Sequence, residues 1–583
     1  MGVHMQDENS GRWPSQDVAG QSPVPPDGRI FEECAELASR GGASIRPVAD
    51  ELRQASRRLG QPMRLAVVGQ IKRGKSTLVN ALLGEEIAAT GQLELTFTVS
   101  EFCHAHDRSV FVHFKDGTRR GPLAPQALER LTVRNPALTD QLRKIRKVEY
   151  TLPNDLLQAF RLVDTPGLGS IHGVDAQNTS DFLGVSAAFA REDERSAMQA
   201  TLAAMGRTAR DLHEESAQEV DHADAILYLF SRGLNEGDYA VVEQFMGASS
   251  GSMTPLRAFA VVSRCDQYWP PDRDLPGNPD PLTYDPMAAA GKIAGRYLAN
   301  PGIRRLFFTI VPVAGLVGIG AHLLTEEELD GLDTLRTVEP ALLVRRLRDV
   351  ARFATQEELA GVPLPVTVRR QVIDRLGGWG THLACGYLRD GLGAGEIRDR
   401  LVQDSGVARL RELIAGHFGN RASVIKLDRG IQDATAAVSR CRLAFQQGRR
   451  PVPPAVGTIA DRLERLRISE HGTAAELSVL SALYSGELAF QEEELAEILA
   501  ITGEYGATWA ARLGQPPDTS LPDLVSAASR LAEQWASREQ DPTLNRLTVR
   551  SARTIRRSYD KIAHQIRQAL PVPADHRTPP MGA

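Results

Sequence analysis

Leu65-Ala66-Val67-Val68-Gly69-Gln70-Ile71-Lys72-Arg73-Gly74-Lys75-Ser76-Thr77-Leu78-Val79-Asn80 is the stretch that decides how this chain is read. Gly69–Ser76 fit the pattern G-x-x-x-x-G-K-[ST]. The apolar run before them reads as a buried strand, and the run from Thr77 reads as a helix start. Phosphate oxygens need several converging donors with no side chain in the way. Two glycines let the main chain wrap, and the helix N-terminus adds partial positive charge. Gly69, Gln70, Ile71, Lys72, Arg73, Gly74, Lys75, Ser76 and Thr77 are therefore the phosphate-binding candidates. Lys75 is placed to reach the β- and γ-phosphates, and the Ser76 hydroxyl to ligate Mg²⁺.

A chain of 583 residues is too long for one core, so two or more domains are expected. A net charge of −5 and a pI near 6.3 give no global case for a nucleic-acid partner. Cys34, Cys103, Cys265, Cys385 and Cys441 lie far apart without metal-site spacing, as expected of reduced thiols in the cytosol. Residues 1–28 and 571–583 read as disordered tails. The nearest thing to a membrane span, Phe307–Leu324, is interrupted by Pro312, Gly315, Gly318, Gly320 and His322. It reads instead as a buried strand followed by a loop, so membrane contact is expected to be peripheral.

Between these ends the pattern predicts an N-terminal helix over 29–60, an α/β domain over 61–325 and an elongated all-α bundle over 326–570. Strands are predicted at Leu65–Val68, Thr98–His104, Val110–Phe114, Val148–Leu152, Phe160–Val163, Ala225–Phe230, Ala258–Val262 and Phe307–Val313. Lys115-Asp116-Gly117-Thr118 should close a hairpin between two of them. In the helical part, Val407, Leu410, Ile414 and Phe418 share one face, as do Leu477, Leu480, Tyr484, Leu488, Leu495 and Leu499. Pro451-Val452-Pro453-Pro454 separates two helices.

The remaining nucleotide elements follow in order. Thr96, with Thr98 as rival, is placed to bind Mg²⁺ through its hydroxyl and to hold the attacking water. Asp164-Thr165-Pro166-Gly167 ends an apolar strand, so Asp164 faces the metal and the Gly167 amide senses the γ-phosphate. Asp266, in Ser263-Arg264-Cys265-Asp266, can accept from N1–H and N2–H of guanine, which adenine does not offer. Arg264 stands where a lysine usually packs on the base, while Ser263 forgoes the hydrogen bonds of the usual asparagine. Pro312-Val313-Ala314-Gly315-Leu316 follows a strand, with the Ala314 amide expected near O6.

With these motifs in this order and at this spacing, the chain resembles a bacterial dynamin-like protein of the actinobacterial isoniazid-inducible and sporulation-associated group. The resemblance implies a P-loop GTPase domain of dynamin type with a helical neck and trunk, which binds GTP and GDP with Mg²⁺ and hydrolyses GTP. It implies dimers formed through the GTPase faces and lipid binding at the far end of the trunk that remodels the membrane, by fusion, fission or in septum formation. The lipid is expected to be anionic and bound peripherally on the inner face of the cell membrane, and a paralogous dynamin is a further candidate partner. Two other functions stay open: a weakly active nucleotide-binding subunit that partners a more active paralogue, and a soluble regulatory GTPase.

Three departures qualify the resemblance. Ile71 and Lys72 replace the Gln and Ser common in dynamins, so the Lys72 ammonium is expected to stand in for a monovalent cation beside the β–γ bridging oxygen. Ser170–His222 is a long charged insertion after Gly167, a candidate dimer or partner face. No lipid-inserting loop is evident. Arg546, Arg550, Arg553, Arg557 and Lys561 form a basic helical stripe that could meet lipid, but pairing with Glu492, Glu493, Glu494 and Glu497 inside the bundle is the favoured reading. Gly377-Gly378-Trp379-Gly380 reads as a tight turn between helices, with a hinge as the alternative.

Overall fold

The computed structural model describes residues 29–69, 73–88, 99–123, 144–165, 222–231, 255–272, 279–469, 471–484, 487–488 and 490–570. The chain forms two compact units. One takes in Gly60–Gly419, and the described residues of the other are 29–59 and 420–570.

In the first unit the described strands form one mixed sheet. They are β1 (Met63–Gly69), β2 (Val99–His104), β3 (Ser109–Phe114), β4 (Arg119–Leu123), β5 (Ile145–Leu152), β6 (Phe160–Asp164), β7 (Ala225–Phe230), β8 (Ala258–Ser263) and β9 (Ile310–Val313), in the spatial order β4-β3-β5-β2-β6-β1-β7-β8-β9. From β6 to β9 the neighbours run parallel. β7 and β8 are buried at every position, the signature of strands inside a parallel sheet. β2 joins β6 antiparallel, with Ser100 opposite Asp164, while β1 sets Val67 opposite the same Asp164. Three chain segments thus converge at the end of β6.

The predicted strands are present, with two corrections. The hairpin at Lys115–Thr118 forms, the Phe114 amide donating to the Thr118 carbonyl at 2.9 Å. Its second arm is β4, which was not predicted because Arg119-Arg120-Gly121-Pro122 has no apolar alternation. It is an edge strand, where arginine and proline deter further pairing. The segment after β9 is not a loop but the helix Gly315–Leu323. Its glycines serve packing: a Cβ on Gly320 would stand 2.1 Å from the Arg375 carbonyl oxygen, and one on Gly318 would stand 2.5 Å from Val407 Cγ2. Close backbone approach outweighs the weak helix propensity of glycine.

Gly377 separates two helical segments within Val366–Arg389, as expected, through a sharp kink (φ 65°, ψ −174°) rather than a loop. This helix shares a core with Trp269, Val317, Ala321, Leu332 and Leu347, all buried. Val407, Leu410, Ile414 and Phe418 are fully buried, as their spacing predicts.

In the second unit the N-terminal segment is two helices, Arg29–Arg40 and Arg46–Leu59. They pack on Ala422–Gln447 and Pro454–Ser469 through Phe31, Leu52, Leu427, Ile431, Ile459 and Leu463. The run from Leu477 to Leu499 is divided. The helix His471–Tyr484 ends, and a new one, Glu492–Ile501, starts where the Glu494 carboxylate accepts from the Gln491 amide at 2.8 Å.

The expected pairing of the basic stripe is also corrected. Glu494 holds Arg538, Glu497 accepts from the Trp535 indole at 2.7 Å, and Arg553 and Arg556 bind Glu539 at 2.6 and 3.0 Å. Ile555, Tyr559, Ile562 and Ile566 turn the helix Arg546–Ala569 toward the core, so its arginines face outward. Arg546, Arg550, Arg557 and Lys561 are exposed and make no ion pair among the described residues. Among those residues no helix is long and apolar enough to cross a membrane.

The approach at Gly320 gives a test of the packing. Gly320→Ala should destabilise the first unit by about 1–3 kcal/mol, the usual range for overpacking a filled core. Calorimetry would record this as a lower first unfolding transition.

Candidate nucleotide site

The phosphate loop leaves β1 and enters the helix Lys75–Leu83 through Gly74, whose φ of 85° suits glycine. Lys75 is only 5% exposed, and its ammonium donates to the Gly69 carbonyl at 3.1 Å. Burial pushes its pKa down to about 8; Asp164 resists the fall and Arg73 adds to it. Ser76 Oγ donates to Asp164 Oδ2 at 2.6 Å. Burial raises the Asp164 pKa, opposed first by Lys75 and then by Ser76. Its second oxygen, Oδ1, is buried and has no hydrogen-bond partner among the described residues.

A serine hydroxyl beside a carboxylate with one unengaged oxygen suits Mg²⁺, which takes one or two protein oxygens and completes its shell with water and phosphate. Among the described residues no group of three His, Cys, Asp or Glu side chains could hold a metal alone. Ser76 and Asp164 would therefore hold the ion together with the nucleotide.

Three further contacts escape the motif. Arg73 donates to the Ser231 carbonyl at 3.1 Å and to the Ser231 hydroxyl, tying the loop to the end of β7. Thr165 Oγ1 donates to the Val67 carbonyl at 2.8 Å, fixing the chain just after Asp164. Buried Asn80 accepts from the amides of Ile87 and Ala88 at 3.0 and 2.7 Å and donates to the Ala88 carbonyl at 2.9 Å. It thereby pins the chain where it departs toward Thr96. The sequence does signal Asn80, as a polar residue on the otherwise apolar run Leu78–Leu83; it gives no signal for Ser231.

On the base side, Ser263 keeps one framework bond, its hydroxyl donating to the Phe230 carbonyl at 3.0 Å. Arg264 adopts a left-handed φ of 58° and runs alongside the loop, its Nε 3.8 Å from where a Cβ on Gly74 would stand. Burial lowers the Arg264 pKa against the pull of Asp266, and burial raises that of Asp266. Ala314 departs from expectation: its amide donates to the Ser405 carbonyl at 2.9 Å and is not turned toward a base. Gly315 packs instead on Thr77, whose Cγ2 is 3.6 Å from the Cβ position, so the last loop abuts the phosphate-loop helix. Gln70, Ile71, Lys72, Thr96, Thr98, Gly167 and the insertion up to 221 lie outside the described residues.

A family model described as the dynamin family matches residues 65–232. The isoniazid-induced protein IniC of Mycobacterium tuberculosis is 31% identical over 537 residues, covering 90% of this chain and 95% of that protein. The chain belongs to the dynamin family. A bacterial dynamin-like protein of Nostoc punctiforme is 33% identical over 147 residues, 23% of this dynamin and 21% of its relative. A solved chain from an oligomerised bacterial dynamin pair, described as a mechanism for long-range sensing and tethering of membranes, aligns at 10% identity. It covers 93% of this chain and 74% of its own, with a TM-score of 0.32.

The lowered pKa of Lys75 sets a pH dependence. In the free site Lys75 is half protonated at about pH 8, whereas a bound triphosphate returns the ammonium toward its ordinary range near 10.4. Affinity should therefore be flat below about pH 7 and fall above it, by about tenfold at pH 9 relative to pH 7. Calorimetry in buffers of different ionisation heat should register proton uptake on binding at pH 9.

Proposed function

We propose that this dynamin-family GTPase hydrolyses GTP with Mg²⁺ and couples the cycle to work on an anionic bilayer. The observation that carries the hydrolytic half is the Ser76–Asp164 pair beside buried Lys75. Lys75 holds the β- and γ-phosphates, Ser76 and Asp164 seat the metal, and Asp266 with Arg264 selects and covers guanine. Mg²⁺ would neutralise charge on the β- and γ-oxygens. Thr96 and Gly167 orient the water and sense the γ-phosphate, and Lys72 offsets charge growing on the bridging oxygen. Two copies would meet through their GTPase faces. Ser76→Ala should cut turnover at least a hundredfold while GDP binding without magnesium changes less than threefold. Equal turnover in the variant would overturn the assignment.

The membrane half rests on the hairpin between Ala422–Gln447 and Pro454–Ser469. Leu443 there is 54% exposed, although the Pro451–Pro454 turn itself offers little apolar area. Arg440, Arg442, Arg449 and Arg450 surround it, exposed and without an ion-pair partner among the described residues, and no carboxylate occurs from 434 to 460. Cations around an apolar residue suit the headgroup layer of an anionic bilayer, each cation contributing about 1 kcal/mol near the surface. The stripe on Arg546–Ala569 is less suited, since Glu539 neutralises its Arg553 and the apolar residue beside it, Leu547, is less exposed at 38%. Flotation with phosphatidylglycerol vesicles should succeed for the wild type and fail for Leu443→Asp with Arg442→Glu, while neutralising the Arg546 stripe leaves it intact. Equal flotation of all three, or equal flotation on neutral vesicles, would refute this surface.

A further inference from the structure

The kink at Gly377 lies against the residue assigned to guanine. A Cβ built on Gly377 would stand 4.0 Å from Asp266 Oδ2 and 3.4 Å from Leu316 Cδ2. The neighbouring Gly378 and Gly380 fit closely on Trp269 and Val317 in the same way, at 3.5 and 3.1 Å. Thr381 Oγ1 donates to the Gly377 carbonyl at 2.6 Å, holding the turn in place. The φ of 65° is one that a residue with a side chain adopts only at a cost of about 1 kcal/mol or more. The helix could have run straight through this point. Instead it breaks beside the Asp266 carboxylate.

We infer that Gly377 is a positioning residue for guanine selectivity: the kink backs Asp266 and fixes the orientation in which its carboxylate meets the 2-amino group of the base. A helix from beyond the matched segment 65–232 thus becomes part of base recognition. Because φ is positive, a side chain on Gly377 strains the turn, and the Asp266 carboxylate and Leu316 lie within van der Waals reach of the added methyl group. Arg264 acts on the carboxylate electrostatically from its own loop and leaves the Gly377 side as a separate constraint. The inference rests on the proposed role of Asp266.

The test compares GDP with inosine diphosphate, which lacks only the 2-amino group, by calorimetry on the full chain. Wild type should prefer GDP by tenfold or more, and Gly377→Ala should reduce the preference below threefold. Thr381→Val, a milder change that frees the Gly377 carbonyl, should reduce it partially. Gly378→Ala, which presses on Val350 and Trp269, should retain the full preference even if the protein melts earlier. An unchanged GDP preference in both Gly377→Ala and Thr381→Val, whatever their stability, overturns the inference. If Gly377→Ala does not fold, Thr381→Val decides alone. Failure of the wild type to bind GDP, or to prefer it, would instead remove the underlying assignment of Asp266.

Discussion

Keeping an ammonium and a carboxylate charged where water is scarce is the constraint on which the nucleotide site depends. Lys75 and Asp164 are 5% and 8% exposed, and burial works against the charge of each. A fall in the Lys75 pKa from 10.5 to about 8 corresponds to about 3 kcal/mol of lost preference for the charged form. The Gly69 carbonyl and the Ser76 hydroxyl fix the geometry without neutralising anything. Arg73 and Arg264 add further positive charge around the loop. Such a concentration of positive charge around a buried ammonium suits a polyanionic ligand, and under the proposed function a divalent cation would enter with it.

The sheet is what holds that constraint in place. Parallel β1 and β6 carry Gly69 and Asp164 to the same end, and the antiparallel arrival of β2 brings Ser100 beside Asp164. Asn80 fixes Ala88 and β6 fixes Ser100, so the described residues on either side of the Thr96 segment are held by side-chain and sheet contacts.

The fold was legible where local pattern and tertiary structure agree. The buried runs of β7 and β8 and the phosphate loop needed no context, since a fully apolar strand and a glycine-flanked lysine admit few alternatives. Legibility failed where tertiary contact overrides local preference. Gly318 and Gly320 look like loop residues but are helical, because another chain segment lies too close for any side chain. β4 carries charge and proline because it is an edge, so no alternation marks it. The stripe from Arg546 was assigned acidic partners by charge alone, whereas the apolar face of the same helix determines its direction. At the site, Lys75, Ser76, Asp164 and Asp266 were readable as chemistry, but Ser231 and Gly377 were not. Their contribution comes from position, and position follows from a fold whose contacts span long stretches of chain.

The same distinction bears on where the GTPase domain ends. A boundary near residue 325 follows the change from alternating strands to continuous helix, yet the compact unit runs on to Gly419. Ser405 supplies the carbonyl that holds the Ala314 amide, and His417 Nε2 bonds the Leu256 carbonyl at 2.8 Å ahead of β8. Arg375 and Leu376 press on the helix that follows the last nucleotide loop. Residues between 326 and 419 therefore pack on the segments that flank the loop after β9 and the start of β8. Secondary-structure class marks where the sheet stops, while the nucleotide machinery extends as far as the contacts that shape it.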